Sequence, residues 1–351
     1  LLESRGLGDV YKRQDFSSSI ESLQVQRGVG TSTNGSGAFG ASINILTDIV
    51  SDQPYAELSS SFGSYNTLKN TIKFSTGKIN DYFELSGRLS KIDSDGYVDR
   101  AYSDLKSYFI QGAYTNGSTL IKAISFGGHE KTYQAWDGLS MDQVLENRRQ
   151  NPLTYENEID NYKQDHFQLH WNEKINNYWS FNLGLNYTDG RGYFEQYKED
   201  DDINTYGGIV KSDIDSNGNE TGTTDLIRRR WLDNDFYVLN TSINYIKDKI
   251  DLTLSSSYSS YVGDHYGEVI WARSLSNTGE IRDRYYEGLG EKKDLSFFAK
   301  LLYSINKKTE LYSDIQLRGV KYNTSGITSD LINMVLDLSL IHISEPTRLQ
   351  Q

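Results

Sequence analysis

The residues most able to do chemistry in this chain fall into a few small groups, and each must be weighed against its local pattern. His166 and His170 are four apart. On a helix that spacing makes a metal pair; on a strand it leaves the rings roughly 13 Å apart, at about 3.3 Å per residue. Asp213, Asp215, Asn217 and Gly218 match the first half of a calcium loop, but its twelfth position is Thr224 rather than a bidentate Glu. Asp93-Ser-Asp95-Gly96 is a shorter imitation of the same motif. The acids of Glu199–Asp202 could attract cations, or form a solvated loop. Gly35-Ser-Gly37-Ala-Phe-Gly40 is a literal GxGxxG. A dinucleotide site needs a helix after that motif, whereas Ile43–Thr47 has β character. No Gly-Lys-Ser/Thr accompanies the glycines, and no nucleophile–base pair or pair of catalytic carboxylates stands out. These patterns predict no enzyme, no metal site and no cofactor.

Composition narrows the class further. The net charge is −12, which disfavours nucleic acid as a partner, because phosphate binding depends on Lys and Arg. With no cysteine there is no disulfide framework and no thiolate site. No apolar run approaches the ~20 residues of a membrane helix. Yet 26 Tyr and 5 Trp stand in a chain otherwise rich in Ser, Thr, Asn and Gly. A soluble β-sandwich could have this composition; so could a membrane barrel with an apolar lipid face, a polar lumen and aromatic rims.

The two ends read as non-native. Ser4–Gln14 can be encoded by a DNA string whose reverse complement translates to Leu338–Arg348, letter for letter. That DNA resembles a sequencing-library adaptor. Residues 1–14 and 338–351 are therefore set aside from fold reasoning, His342 and Pro346 with them. The native segment is expected to be cut from a longer gene at both ends.

Periodicity chooses between the two β classes. Phe83, Leu85 and Leu89 alternate with Glu84, Ser86, Arg88 and Ser90. Trp179, Phe181, Leu183, Leu185 and Tyr187 alternate with Ser180, Asn182, Gly184, Asn186 and Thr188. Similar rows contain Phe167/Leu169/Trp171, Tyr237/Leu239/Ile243, Leu252/Leu254/Tyr258, Leu295/Phe297/Leu301 and Ile315/Leu317. Lys122 shares a row with Leu120, Ile124 and Phe126. A lysine facing lipid at mid-depth costs about 2–4 kcal/mol, so Lys122 is expected near a rim. Short turns near Lys78–Asp81, Asn116–Ser118, Lys174–Asn177, Lys247–Lys249 and Asn306–Thr309 alternate with long loops near Asp93–Ser103, Tyr133–Tyr162, Gly190–Asp233 and Tyr266–Lys293. Only the first upper connection, Gly63–Thr67, is short; hairpins crossing one slab would alternate in this way. About eleven strands begin near Tyr55, several of them longer than the ~5–6 residues usual in soluble sheets. One short amphipathic helix is expected within Ser140–Gln150.

The rest is organised around residues 20–47. Two β-like ends flank a glycine-rich centre whose backbone can turn tightly and approach another surface. Arg27-Gly28, Asn34-Gly35 and Gly37-Ala-Phe-Gly40-Ala-Ser-Ile43-Asn-Ile45-x-Thr47 resemble the end of the plug domain of TonB-dependent outer-membrane receptors. Asp95-Gly96-Tyr97 and Thr132-Tyr-Gln-Ala-Trp-Asp-Gly138 are similar to loop sequences of that family. Many relatives carry Tyr where Asn34 stands and Pro where Val29 stands. The motif is closer to siderophore and small-chelate receptors than to glycan importers. The resemblance implies an all-β fold: 15–50 as the end of a plug, and 51–337 as the N-terminal half of an antiparallel transmembrane β-barrel of about 22 strands. It implies a TonB-dependent transporter in the outer membrane of a Gram-negative bacterium. Its partners would be outer-membrane lipid, a small iron chelate or similar nutrient, and the TonB complex through a segment upstream of residue 15. Plug–barrel contacts would include Arg27, Gly28, Gly40 and Asn44, with Glu84, Asp251 and Asp314 as carboxylate candidates for Arg27. Thr33, Asn34 and Ser36 would face the ligand from below, and Tyr133, Trp136, Tyr193 and Tyr197 from above. A secreted all-β binding or adhesion protein and a passive porin are the competing readings.

Overall fold

The computed structural model describes residues 19–27, 41–47, 50–344 and 347–350, with side chains through residue 341. The alternating rows form the strands of a single antiparallel sheet. A hairpin, β1 (Ile20–Arg27) and β2 (Ala41–Thr47), makes a separate two-stranded sheet. The large sheet then runs in strict chain order: β3 (Pro54–Phe62), β4 (Leu68–Thr76), β5 (Phe83–Ser94), β6 (Ser103–Thr115) and β7 (Thr119–Tyr133). It continues through β8 (Ile159–Lys174), β9 (Trp179–Asp202), β10 (Thr223–Lys247), β11 (Ile250–Ala272), β12 (Arg284–Asn306) and β13 (Thr309–Ile327). These are the eleven strands expected from periodicity. A twelfth, β14 (Asn333–Ser344), crosses the boundary drawn at residue 338, and β15 (Thr347–Gln350) also pairs with β13.

The burial pattern is the reverse of a soluble sheet. On β5, Phe83 and Leu89 are 53% and 57% exposed, while Glu84 and Arg88 on the other face are 3% and 1% exposed. The exposed rows continue through Leu169, Trp179, Leu239, Leu254, Phe297 and Leu317. No second sheet covers them among the described residues; an apolar face left open while carboxylates and guanidiniums are buried suits a hydrocarbon surround.

Register settles the ambiguous strand. Lys122 pairs with His170 on β8 and with Ala113 on β6, both on the polar face. The outward row of β7 is instead Ile121, Ala123 and Ser125, opposite Trp171, Leu169 and Phe167. Lys122 therefore needs no rim: the apolar Leu120, Ile124 and Phe126 beside it face inward.

Connections alternate as expected, but the strands run further into the long loops than their pattern suggests. β9 and β10 hold 24 and 25 residues, so the loop expected over Gly190–Asp233 shrinks to 203–222. The one over Tyr266–Lys293 shrinks to 273–283. Glycines and charges hide the alternation there, while backbone pairing continues. The helix α1 (Met141–Asn147) starts in a capping box: Ser140 Oγ accepts from Gln143 N, and Gln143 Oε1 accepts from Ser140 N.

Candidate functional site

The polar face of β5 holds the chain that flanks the β1–β2 hairpin. Arg88 donates from Nε to Ser19 Oγ (2.6 Å) and from Nη2 to Ser107 Oγ (3.0 Å). Two residues along the same row, the Glu84 carboxylate accepts from Ser51 N (3.4 Å), Ser75 Oγ (2.7 Å) and Gln111 Nε2 (3.3 Å). One strand thus ties down the chain on both sides of the β1–β2 hairpin. A buried charge tolerates desolvation only when its hydrogen-bonding capacity is met, and hydroxyls and amides meet it here.

Of the plug contacts expected from sequence, Arg27 and Asn44 fall within the described residues. Arg27 and Asn44 are exposed on the hairpin, in register with Ala41 and Gln24. Among the described residues Arg27 makes no ion pair with Glu84, Asp251 or Asp314. The Glu84 carboxylate is filled by the donors just named, and Asp314 accepts from Tyr312 Oη at 3.2 Å. Gly28, Thr33, Asn34, Ser36 and Gly40 lie outside the described residues. Ser19 and Arg88, which do meet, carried no sequence signal: they are 69 positions apart and neither type is unusual.

The four aromatics expected above the ligand separate into different roles. Tyr133 is 5% exposed, and its hydroxyl donates to Leu153 O (3.1 Å) and Tyr155 O (2.7 Å), pinning the 134–158 loop. Tyr197 donates to Asp225 Oδ2 at 2.7 Å. Tyr193 belongs to the outward row, tilted against Trp231 at 4.6 Å with the Arg229 guanidinium 4.3 Å from its ring centre. Trp136 alone of the four combines high exposure (57%) with the polar face, where it packs edge-on against Phe194 at 5.3 Å.

Trp136 leads to a cationic cluster that the sequence reading missed. Phe194, Arg230, Gly267 and Tyr286 are successive register partners across β9, β10, β11 and β12. The Arg230 guanidinium lies 5.7 Å from the Phe194 ring centre and 5.3 Å from that of Tyr286, and donates to Tyr286 Oη at 3.1 Å. Gly267 makes this possible: a Cβ there would collide with the Tyr285 and Tyr286 rings. Arg228, two residues back on the same face, donates to Gln196 Oε1 and Tyr206 Oη. Arg229 points the other way and pairs with Glu195 at 2.7 Å. The signal was the Arg228-Arg229-Arg230 run, which strand alternation splits between two faces. Planar cations with donors beside aromatic rings suit an anionic ligand.

The loops above are tied to one another. Arg273 bridges Asp213 (3.1 Å) and Asp225, Ser274 Oγ donates to Asp213 Oδ1 (2.7 Å), and Val210 bridges Leu275. Beneath them Tyr206, Ile209, Val210, Leu226, Val269, Tyr285 and Tyr286 form an apolar core. Burial, and then the Glu195 carboxylate, push the Tyr155 phenol up to about 12, so it stays a donor to Glu195 (2.7 Å). The motifs weighed for chemistry have structural work. Asp215 Oδ1 accepts from Asn217 N and Asn219 N, both at 2.8 Å, closing a turn. Asp95 accepts from Asn66, and Asp202 caps a short 3-10 turn at Asn204 N. His166 stacks on Phe126 at 4.4 Å, and His170 contacts Gln168 Oε1 at 3.1 Å.

No family model matches this chain, and no curated protein matches it. Solved structures do. The chain is similar to the open form of the ferric-catecholate import receptor Fiu from E. coli K12, with TM-score 0.68 and 12% identity over 94% of this chain and 56% of that one. It is similar to BauA, the ferric preacinetobactin receptor from Acinetobacter baumannii, with TM-score 0.64 and 10% identity over 93% and 50%. A third likeness is the copper transporter OprC, with TM-score 0.66 and 11% identity over 94% and 47%. The chain spans about half the length of these structures. At such identities the likeness shows the fold: a partial all-β barrel of the TonB-dependent receptor type.

Proposed function

We propose that this chain is the plug end and first half of the barrel wall of a TonB-dependent outer-membrane transporter. It imports an iron chelate or a similar small, anionic nutrient complex. The observation carrying this reading is the inverted sheet: one layer of the eleven sequential strands β3–β13, apolar outward and polar inward, with both sides of a plug hairpin fastened to the inward face of β5. A secreted adhesion module has no reason to leave that apolar face open, and a passive porin has no reason to tie a hairpin inside. Ligand binding near Trp136, Phe194, Arg230 and Tyr286 would be followed by rearrangement of the plug, pulled by the TonB complex.

The named uses of the similar structures, ferric catecholate, ferric preacinetobactin and copper, support a chelate as the ligand class. The adaptor-like ends support recovery of a longer gene around residues 15–337. Expressed in an outer-membrane host, the complete receptor is expected to take up a ferric chelate only when TonB is present. Arg230→Met is expected to weaken binding of that chelate about tenfold or more, in line with the ~1.5–3 kcal/mol of a charge-assisted hydrogen bond. Uptake that is indifferent to TonB would overturn the transporter reading.

A further inference from the structure

Lys292 on β12 stands on the polar face with no acid to meet it. Its register partners are Tyr261 on β11 and Tyr322 on β13. The inward carboxylate two residues on, Asp294, is taken by Arg318, which donates to it from Nε (3.2 Å) and Nη2 (2.9 Å). Phe236 on β10 is the next partner beyond Tyr261, and their ring centres are 6.5 Å apart. Among the described residues Lys292 makes no ion pair, and neither does Arg230. A half-buried cation is costly without a counter-charge. Two of them on one wall, each set among aromatic rings, concentrate anions between them.

Between the two cations β12 is bare. The Arg230 row meets β12 at Tyr286, and the inward positions from there to Lys292 are Gly288 and Gly290. Neither has a positive φ, and a Cβ at either would have no atom nearer than 3.9 Å. The fold does not ask for glycine there. The contrast is with Gly267, where a Cβ would strike two tyrosine rings, and with Gly326, whose φ is +116°. Glycine weakens a strand, and where packing does not require it, it suits close approach by another group. The trough left by the two glycines is bordered by His265 on β11 and Thr324 on β13. Six residues at about 3.4 Å each place the Tyr286 and Lys292 positions roughly 20 Å apart.

We infer that the ligand site continues from the Arg230 cluster down β12 as one trough and takes an elongated anion, one charged end on Arg230 and the other on Lys292. The inference rests on the proposed transport reading and narrows the chelate to one with anionic groups at both ends. A compact anion would engage one cation and leave the other without a counter-charge. Tyr261 and Tyr322 flank the far end as Phe194 and Tyr286 flank the near one, and the bare backbone of Gly288 and Gly290 lets the body of the ligand lie against the wall.

The test uses the complete receptor, purified from outer membranes in detergent, with rigid dianions as rulers: terephthalate and its linear two-ring and three-ring homologues. Calorimetry is expected to show the three-ring dianion, whose carboxylates come nearest to the span, binding at least tenfold tighter than terephthalate. The three-ring monocarboxylate, equally apolar but charged at one end, is expected to bind at least tenfold more weakly than the dianion. Lys292→Met is expected to abolish both differences. Gly290→Leu keeps both cations, fills the trough and is expected to weaken the three-ring dianion severalfold. Heat-modifiable migration reports in each case that the barrel has formed. Equal affinity for the three dianions, equal affinity for the monocarboxylate, or a length preference that survives Lys292→Met would overturn the inference alone. The transport reading fails on a different measurement, uptake that is indifferent to TonB, which these affinities do not report.

Discussion

Arg88 is 1% exposed on the face it shares with Glu84, Ser86 and Ser90, and it reaches Ser19 at 2.6 Å. A bond from a guanidinium to a hydroxyl is worth about 1.5–3 kcal/mol, a large share of what can hold a short segment against a wall. Arg88→Met in the complete receptor is therefore expected to raise hydrogen exchange across 19–27 by at least tenfold while exchange in β9–β12 stays unchanged. Uniform change across the sheet would make Arg88 a general stabiliser instead. The aromatics call for a contrast of the same kind. Tyr197 spends its hydroxyl on Asp225, whereas Trp136 is exposed beside the Arg230 cluster. Trp136→Ala is expected to weaken chelate binding about tenfold. Tyr197→Phe is expected to leave binding within twofold while lowering the stability of the loops by about 1 kcal/mol. Titration calorimetry and thermal unfolding separate the two.

At the scale of elements, the loops over β9–β12 behave as a cap with its own core and its own ionic fastening. Within it, Asp215 closes a turn by accepting the Asn219 and Asn217 amides, and these bonds hold its carboxyl below the ordinary carboxylate range. A depressed folded pKa stabilises the turn fully above the unfolded value of about 3.9 and ceases to as pH falls through the folded value. The Asn217 and Asn219 amide resonances are expected to shift together only below about pH 4; a transition near neutrality would assign the turn to another group. The lower halves of the strands were legible in sequence, because each residue's polarity states its face, as at Trp179–Thr188. The upper halves were not. Gly190, Gly192 and alternating charges pair as well as apolar residues but leave no hydrophobic period, so β9 and β10 read as loop where they are still sheet. The candidate site suffered most from this. Phe194, Arg230, Gly267 and Tyr286 come from four strands and meet only through register, which no local pattern encodes.

At the scale of the whole molecule, the open edges decide what this segment can do alone. β3 pairs with β4 on one side only, and β3 is not a neighbour of β14, so the sheet does not close among the described residues. Alternate residues of the nine in β3 direct N–H and C=O groups toward a missing partner. In water such an edge is tolerable; in hydrocarbon each unpaired group costs about 1–3 kcal/mol even on the lower mutational scale. Summed over two edges, that exceeds the 5–15 kcal/mol by which folded proteins are ordinarily stable. Residues 15–337 purified alone in detergent are accordingly expected to give neither heat-modifiable migration nor a protease-resistant core, whereas the complete receptor gives both. A resistant, heat-modifiable species from 15–337 would mean that these strands close upon themselves. The inward face would then surround a narrower lumen with no room for a plug, and Arg88 would face that lumen rather than Ser19.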